Sequence, residues 1–206
     1  MGKSVQDLID SGEIDLDVTR LDCRSIQLTS LKGVEKLVNL ERLFCMDNQL
    51  TSLKGVDKLK NLKHLVCYNN LLTSLEGVEN LVNLEVLHCS FNELTSLEGV
   101  EKLVNLKEFY CNNNKLTSLK ELTRLTSMVW LNINDNKIAS LDGIEYMDKL
   151  KGINIKNTLI DISRYVGLNA QEIVHKVMLD THLVPGADRR GEASISDTGL
   201  FDFKIK

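Results

Sequence analysis

The sequence predicts an α/β solenoid, a horseshoe with a parallel β-sheet on its concave side, short 3₁₀ or α turns on its convex side, and helical caps. Three observations predict it. Leu40, Leu62, Leu84, Leu106, Met128 and Leu150 each open a segment, each 22 residues after the last, and Val18 opens a more divergent copy upstream. Within a copy, apolar residues recur first at period two and then at period three. One copy cannot bury its apolar side alone, so a core forms only between stacked neighbours.

The elements follow in order. Residues 1–17 read as an N-terminal cap: Val5, Leu8 and Ile9 have helical spacing, Ile14 and Leu16 alternate, and a short helix followed by a strand would cover the first repeat. Residues 18–171 hold seven repeats. In each, a stretch such as Leu40–Met46 alternates, with Leu43 and Cys45 pointing inward, as a strand with one buried face does. The second half, with Leu53, Val56 and Leu59 three apart, suits a short turn laid across the back. Residues 172–206 form a C-terminal cap and tail. The helix they contain is expected from Asn169 to His182, with Ile173, Val174, Val177 and Met178 on one face. Pro185 to Thr198 reads as a polar loop or linker. Phe201, Phe203 and Ile205 alternate as one side of a strand, docked on the protein's own edge or added to a partner.

Two columns of polar or reactive residues run through the repeats. Asn48, Asn70, Asn92, Asn114 and Asn136 share one position, replaced by Ile26 in the first copy and Thr158 in the last. An amide carries both donors and acceptors, so this ladder should satisfy backbone groups where the strand bends into its loop. Cys23, Cys45, Cys67, Cys89 and Cys111 share an inward strand position. In-register strands hold Cβ atoms about 4.8 Å apart, longer than disulfide geometry accepts, and a straight column cannot converge on a tetrahedral metal. A buried thiol also lacks the electropositive, exposed setting that makes a nucleophile. The column is therefore read as small apolar filler.

The wording L-x-x-L-x-C-x-x-N-x-L-T-S-L-x-G-V-E-x-L-x-N runs almost intact from Leu40 to Asn105. It resembles the leucine-rich-repeat family, signature L-x-x-L-x-L-x-x-N/C-x-L, with Cys in place of the third Leu. The resemblance covers about three quarters of the chain. It is similar to two branches: an intracellular, phosphatase-regulating one and an internalin-like bacterial adhesion one. The first implies a cytosolic adaptor or enzyme regulator. The second implies a host-directed effector or adhesion protein and normally brings an export signal and further domains.

Composition excludes several classes. A net charge of −4 disfavours nucleic acid as the main partner. No apolar run of about 18 residues spans a membrane. Met1-Gly2-Lys3-Ser4 opens no signal peptide, Gln6 breaks the myristoylation pattern, and no Asn-x-Ser/Thr acceptor occurs. A cytoplasmic location is expected, and buried free thiols fit a reducing compartment. No nucleotide-binding, nucleophile-elbow or zinc-protease motif appears. We therefore expect a binding module with no enzymatic activity, cofactor or metal.

The outward strand positions carry the functional reading. Convex positions repeat almost verbatim, whereas outward positions differ in nearly every copy, a variety that the scaffold does not require. The third position holds Arg20, Arg42, His64, Val86, Glu108, Trp130 and Gly152. The fifth holds Asp22, Phe44, Val66, His88, Tyr110, Asn132 and Asn154, and the seventh includes Met46 and Tyr68, with Phe91 beside it at the eighth. Contiguous exposed apolar and aromatic residues mark interaction surfaces. The expected partner-binding set is Arg42, Phe44, Met46, His64, Val66, Tyr68, Val86, His88, Phe91, Glu108, Tyr110, Trp130 and Asn132. His64 and His88 lack a third ligand at a familiar spacing, so they read as interface histidines that could make contact pH-sensitive. The expected occupant is a partner protein, bound by a monomer or weak dimer. An inhibitor or regulatory subunit of an enzyme is the alternative role.

Overall fold

The computed structural model describes residues 2–181. Its main sheet has seven parallel strands in sequence order: β2 (Arg20–Asp22), β4 (Arg42–Phe44), β5 (His64–Val66), β6 (Val86–His88), β7 (Glu108–Tyr110), β8 (Trp130–Asn132) and β9 (Gly152–Asn154). Adjacent strands pair 22 residues apart without slippage, as in Arg42↔His64 and Leu43↔Leu65. The repeat length thus becomes the register, and every repeat position becomes a straight row across the sheet.

Behind the sheet run 3₁₀ turns at Val34–Lys36, Val56–Lys58, Val78–Asn80 and Val100–Lys102. Each follows a glycine at φ between +92° and +102°, a conformation costly for other residues. The Glu two residues on completes the device: Glu35, Glu79 and Glu101 accept the N–H of that glycine at 2.7–2.9 Å, and Glu145 accepts that of Gly143 in the same way at 2.8 Å. This explains the G-V-E wording. The fifth copy reads Lys120-Glu121-Leu122, lacks the glycine, and starts its turn two residues earlier. Leucines, valines and the cysteines fill the space between sheet and turns in one continuous core.

The asparagine ladder does what its chemistry predicts. Asn70 accepts from the N–H of Leu50 at 2.9 Å and donates to the carbonyls of Cys45, Cys67 and Tyr68 at 3.0–3.3 Å, so one buried amide ties two repeats. A second ladder went unread in the sequence: Asn61, Asn83 and Asn105 donate to the carbonyls of Val38, Lys60 and Val82 in the preceding repeat.

The caps differ in part from expectation. The N-terminal strand, β1 (Lys3–Ser4), precedes the helix α1 (Val5–Asp10), and residues 14–16 form no strand. β1 pairs in parallel with β3 (Leu28–Ser30), in the loop behind β2, so it extends the back of the solenoid and not the concave sheet. The reason is local: Ser4 caps α1 through a reciprocal pair with Asp7, fixing the helix start where Val5 and Leu8 drop into the core. The C-terminal helix α2 (Ala170–Thr181) lies where expected, with Ile173, Val174 and Val177 buried. The readings for the Met178 side chain, Pro185–Thr198 and Leu200–Lys206 fall outside the described residues.

Candidate functional site

The face opposite the turns is built from short strands whose alternation sends Leu43, Cys45 and their equivalents inward and the third and fifth positions outward. Arg42 is exposed, and Phe44, His64, Val66, Val86, His88, Glu108, Tyr110, Trp130 and Asn132 are half-buried by their neighbours along the rows. Thus the third- and fifth-position residues all stand on one surface.

The rings on it are organised. His88 lies between Tyr68 and Tyr110, with centroids 4.6 Å and 5.2 Å away. The Tyr110 hydroxyl donates to Glu108 Oε2 at 3.0 Å. Burial, with Glu108 beside it, pushes the Tyr110 phenol up to about 12. The Arg20 guanidinium sits over the Phe44 ring at 4.6 Å. The Trp130 indole spreads over Gly152, where any Cβ would overlap it. Burial holds His88 below the usual imidazole value. His64 is also lowered, by burial first and then by Arg42, with Glu85 and Glu108 opposing.

The seventh position departs from expectation. Met46 is only 7 % exposed, and Ser90 and Asn112 beside Tyr68 are buried too, with the Ser90 hydroxyl 2.5 Å from Asn112 Oδ1. Met46 therefore presents no free surface. The strand ends at the fifth position and the eighth turns left-handed, and in the middle repeats the seventh row lies in a crease, whereas Arg24 and Lys156 at its ends stay exposed.

That eighth row holds an exception. Ser25, Asp47, Asn69, Asn113, Asp135 and Asn157 all have φ between +52° and +55°, a conformation that Asn and Asp tolerate well. Neighbours in the row bond where chemistry permits, as Asn69 does to Asp47 and Asn157 to Asp135, both at 2.7 Å. Phe91 takes the same conformation at φ +52°, 54 % exposed, at a cost of about 1 kcal/mol or more. Nothing in the scaffold asks for an aromatic there.

The cysteines face away from this surface. All five are free and buried, and burial raises every thiol, Cys23 to about 12. They are protonated filler. Among the described residues no group of three or more His, Cys, Asp or Glu could hold a metal ion. No helix there is long and apolar enough to cross a membrane.

The family model described as Leucine Rich repeats (2 copies) matches residues 38–80 and 82–124, the stretch whose turns, ladders and register were described above. The chain is a leucine-rich-repeat protein. As such it is similar to several solved structures. An internalin from Listeria monocytogenes, inlF, is 24 % identical over 68 % of this chain and 42 % of that one, with a TM-score of 0.66. The functional domain of InlJ from the same organism, described as including a cysteine ladder, is 30 % identical over 73 % of this chain and 38 % of that one, with a TM-score of 0.55. A Leptospira interrogans leucine-rich-repeat protein is 31 % identical over 68 % and 43 %, with a TM-score of 0.55. The repeat protein thus spans about two fifths of the length of these three structures. No curated protein matches it. Leucine-rich-repeat domains generally mediate protein–protein interaction.

Proposed function

We propose that this chain binds a partner protein through the outward face of its sheet, as a cytoplasmic adaptor or regulator without catalytic activity of its own. The observation that carries the reading is the joined surface of Phe44, Val66, Tyr68, His88, Tyr110 and Trp130. These side chains belong to no core and differ from repeat to repeat on an otherwise repetitive frame. Aromatic side chains held by neighbouring rings lose little freedom on binding, which is why such residues dominate interface energetics. Inhibition of an enzyme is the same contact with a different consequence. Likeness to the internalins favours a second reading, a host-directed effector or adhesion protein.

The test is affinity capture with the whole chain and with a variant carrying Phe44→Ala, Tyr110→Ala and Trp130→Ala. The variant should fold, because none of the three is in the core, and should lose at least about 100-fold in affinity, each anchor contributing about 1–2 kcal/mol. Equal capture by both proteins would exclude this face. Recovery of the protein outside its cell of origin would favour the second reading over a cytoplasmic one.

A further inference from the structure

Resting on that reading, we propose that the segment bound by the concave face carries an acidic side chain at one end and an apolar anchor about 12 Å away, the acid meeting Arg42 and the anchor seated against Phe91 and the Tyr68–His88–Tyr110 stack.

Charge selects the acid. The N-terminal third of the face holds three arginines, Arg20, Arg24 and Arg42, against two carboxylates, Asp22 and, in the eighth row, Asp47, which accepts from Asn69. Arg24 pairs with Asp22 at 2.7 Å, and Arg20 lies 3.7 Å from the same carboxylate and over Phe44. Arg42 is exposed, and its guanidinium makes no hydrogen bond or ion pair among the described residues. The other end of the face offers no comparable cation cluster: Glu108 is there, bound by the Tyr110 hydroxyl. A carboxylate over the first two repeats therefore gains a free guanidinium, which favours planar acids.

Strain selects the anchor. Six of the seven equivalent positions carry Ser, Asp or Asn in the left-handed conformation, and only Phe91 carries an aromatic ring there. A residue that destabilises the fold while exposing a large apolar side chain marks a site where something other than folding uses it. Phe91 follows the buried Ser90 and lies three residues after His88 in the same repeat, so its exposed ring belongs to the repeat at the centre of the stack.

Register sets the spacing. Arg42 stands on β4 and His88 on β6, two strands on. Strands lie about 4.8 Å apart and His88 stands two residues, about 7 Å, beyond the register partner of Arg42, so acid and anchor are about 12 Å apart on the diagonal, roughly four residues of extended chain or eight of helix.

The experiment selects displayed random peptides on the immobilised full chain, then measures enriched peptides by fluorescence anisotropy against wild type, Arg42→Glu and Phe91→Asn. Enriched peptides should carry Asp or Glu at that spacing from an aliphatic or aromatic residue. Arg42→Glu should reverse the preference to basic residues. Phe91→Asn should weaken binding at least about 10-fold while raising Tm by about 2–4 °C, since it restores the residue type of the row. Failure to enrich any peptide, indifference of enriched peptides to Arg42→Glu, unchanged affinity of Phe91→Asn, or a fall in its Tm would each overturn the proposal. Peptide binding that resists both variants but is lost with Phe44→Ala, Tyr110→Ala and Trp130→Ala combined overturns this proposal alone. Binding that survives all of them overturns the concave-face reading itself.

Discussion

His88 and Tyr68 stack ring to ring across adjacent repeats, with centroids 4.6 Å apart and planes tilted by 36°. The contact joins a fifth-position side chain of one strand to a seventh-position side chain of its neighbour, a diagonal that only the lateral register creates. It also makes the histidine half-buried, and that has a consequence for pH.

An imidazole whose folded pKa lies below its unfolded value of about 6.5 takes up its proton more readily in the unfolded chain. The stability it contributes is present above that value and is lost as the pH falls through it toward the folded pKa. The faces around His88 are the Tyr68 and Tyr110 rings, and around His64 are Arg42, Lys63, Glu85 and Glu108. Urea midpoints should therefore be lower at pH 5.5 than at pH 7.5. His88→Gln should narrow that gap, and a gap of unchanged size would show that His88 does not contribute to it.

Asn70→Ala should destabilise the chain by about 3 kcal/mol, because it strands the buried Leu50 N–H and takes one of two donors from each of the Cys45, Cys67 and Tyr68 carbonyls. A fall in Tm of about 6–12 °C is expected. Asn48→Ala should cost less, since Asn48 is only half-buried and water can replace it. Equal losses at the two positions, measured by thermal unfolding, would contradict this account.

Gly143 stands at φ +116°, and a Cβ there would overlap the carbonyl of Leu119. Gly143→Ala should cost about 3 kcal/mol or more, since backbone must move as well as twist. At Gly77 the nearest atom to the same Cβ is Val56 Cγ2 at 3.4 Å, an ordinary contact, so conformational strain of about 1–2 kcal/mol remains. The order of the two denaturation midpoints checks the difference. The tight approach arises beside the fifth repeat, where Glu121 replaces the glycine and shifts the preceding turn.

Much of this was legible in the sequence because the repeat is a one-dimensional code. Leu43 and Cys45 point inward and Arg42 and Phe44 outward by simple alternation, and the asparagine column announced its backbone role through its chemistry. Less legible was everything that depends on where a strand stops. Met46 obeys the alternation yet is buried, because the strand ends at Phe44 and the chain turns into the crease. Ile14 and Leu16 alternate yet form no strand, since Ser4 and Asp7 start the cap earlier and the strand pairs behind the sheet.

By itself, then, the sequence determined the solenoid, its 22-residue register, its core and the identity of its variable face, because each is a property of periodic burial that one turn of the coil shares with the next. Tertiary structure alone decided which variable side chains touch. It stacked Tyr68, His88 and Tyr110, laid Trp130 over Gly152, closed over Met46, and left Phe91 exposed in a conformation suited to asparagine. The physical reason is that lateral spacing between strands, about 4.8 Å, brings together residues far apart in the chain, and whether a side chain there is covered depends on the size of neighbours one repeat away.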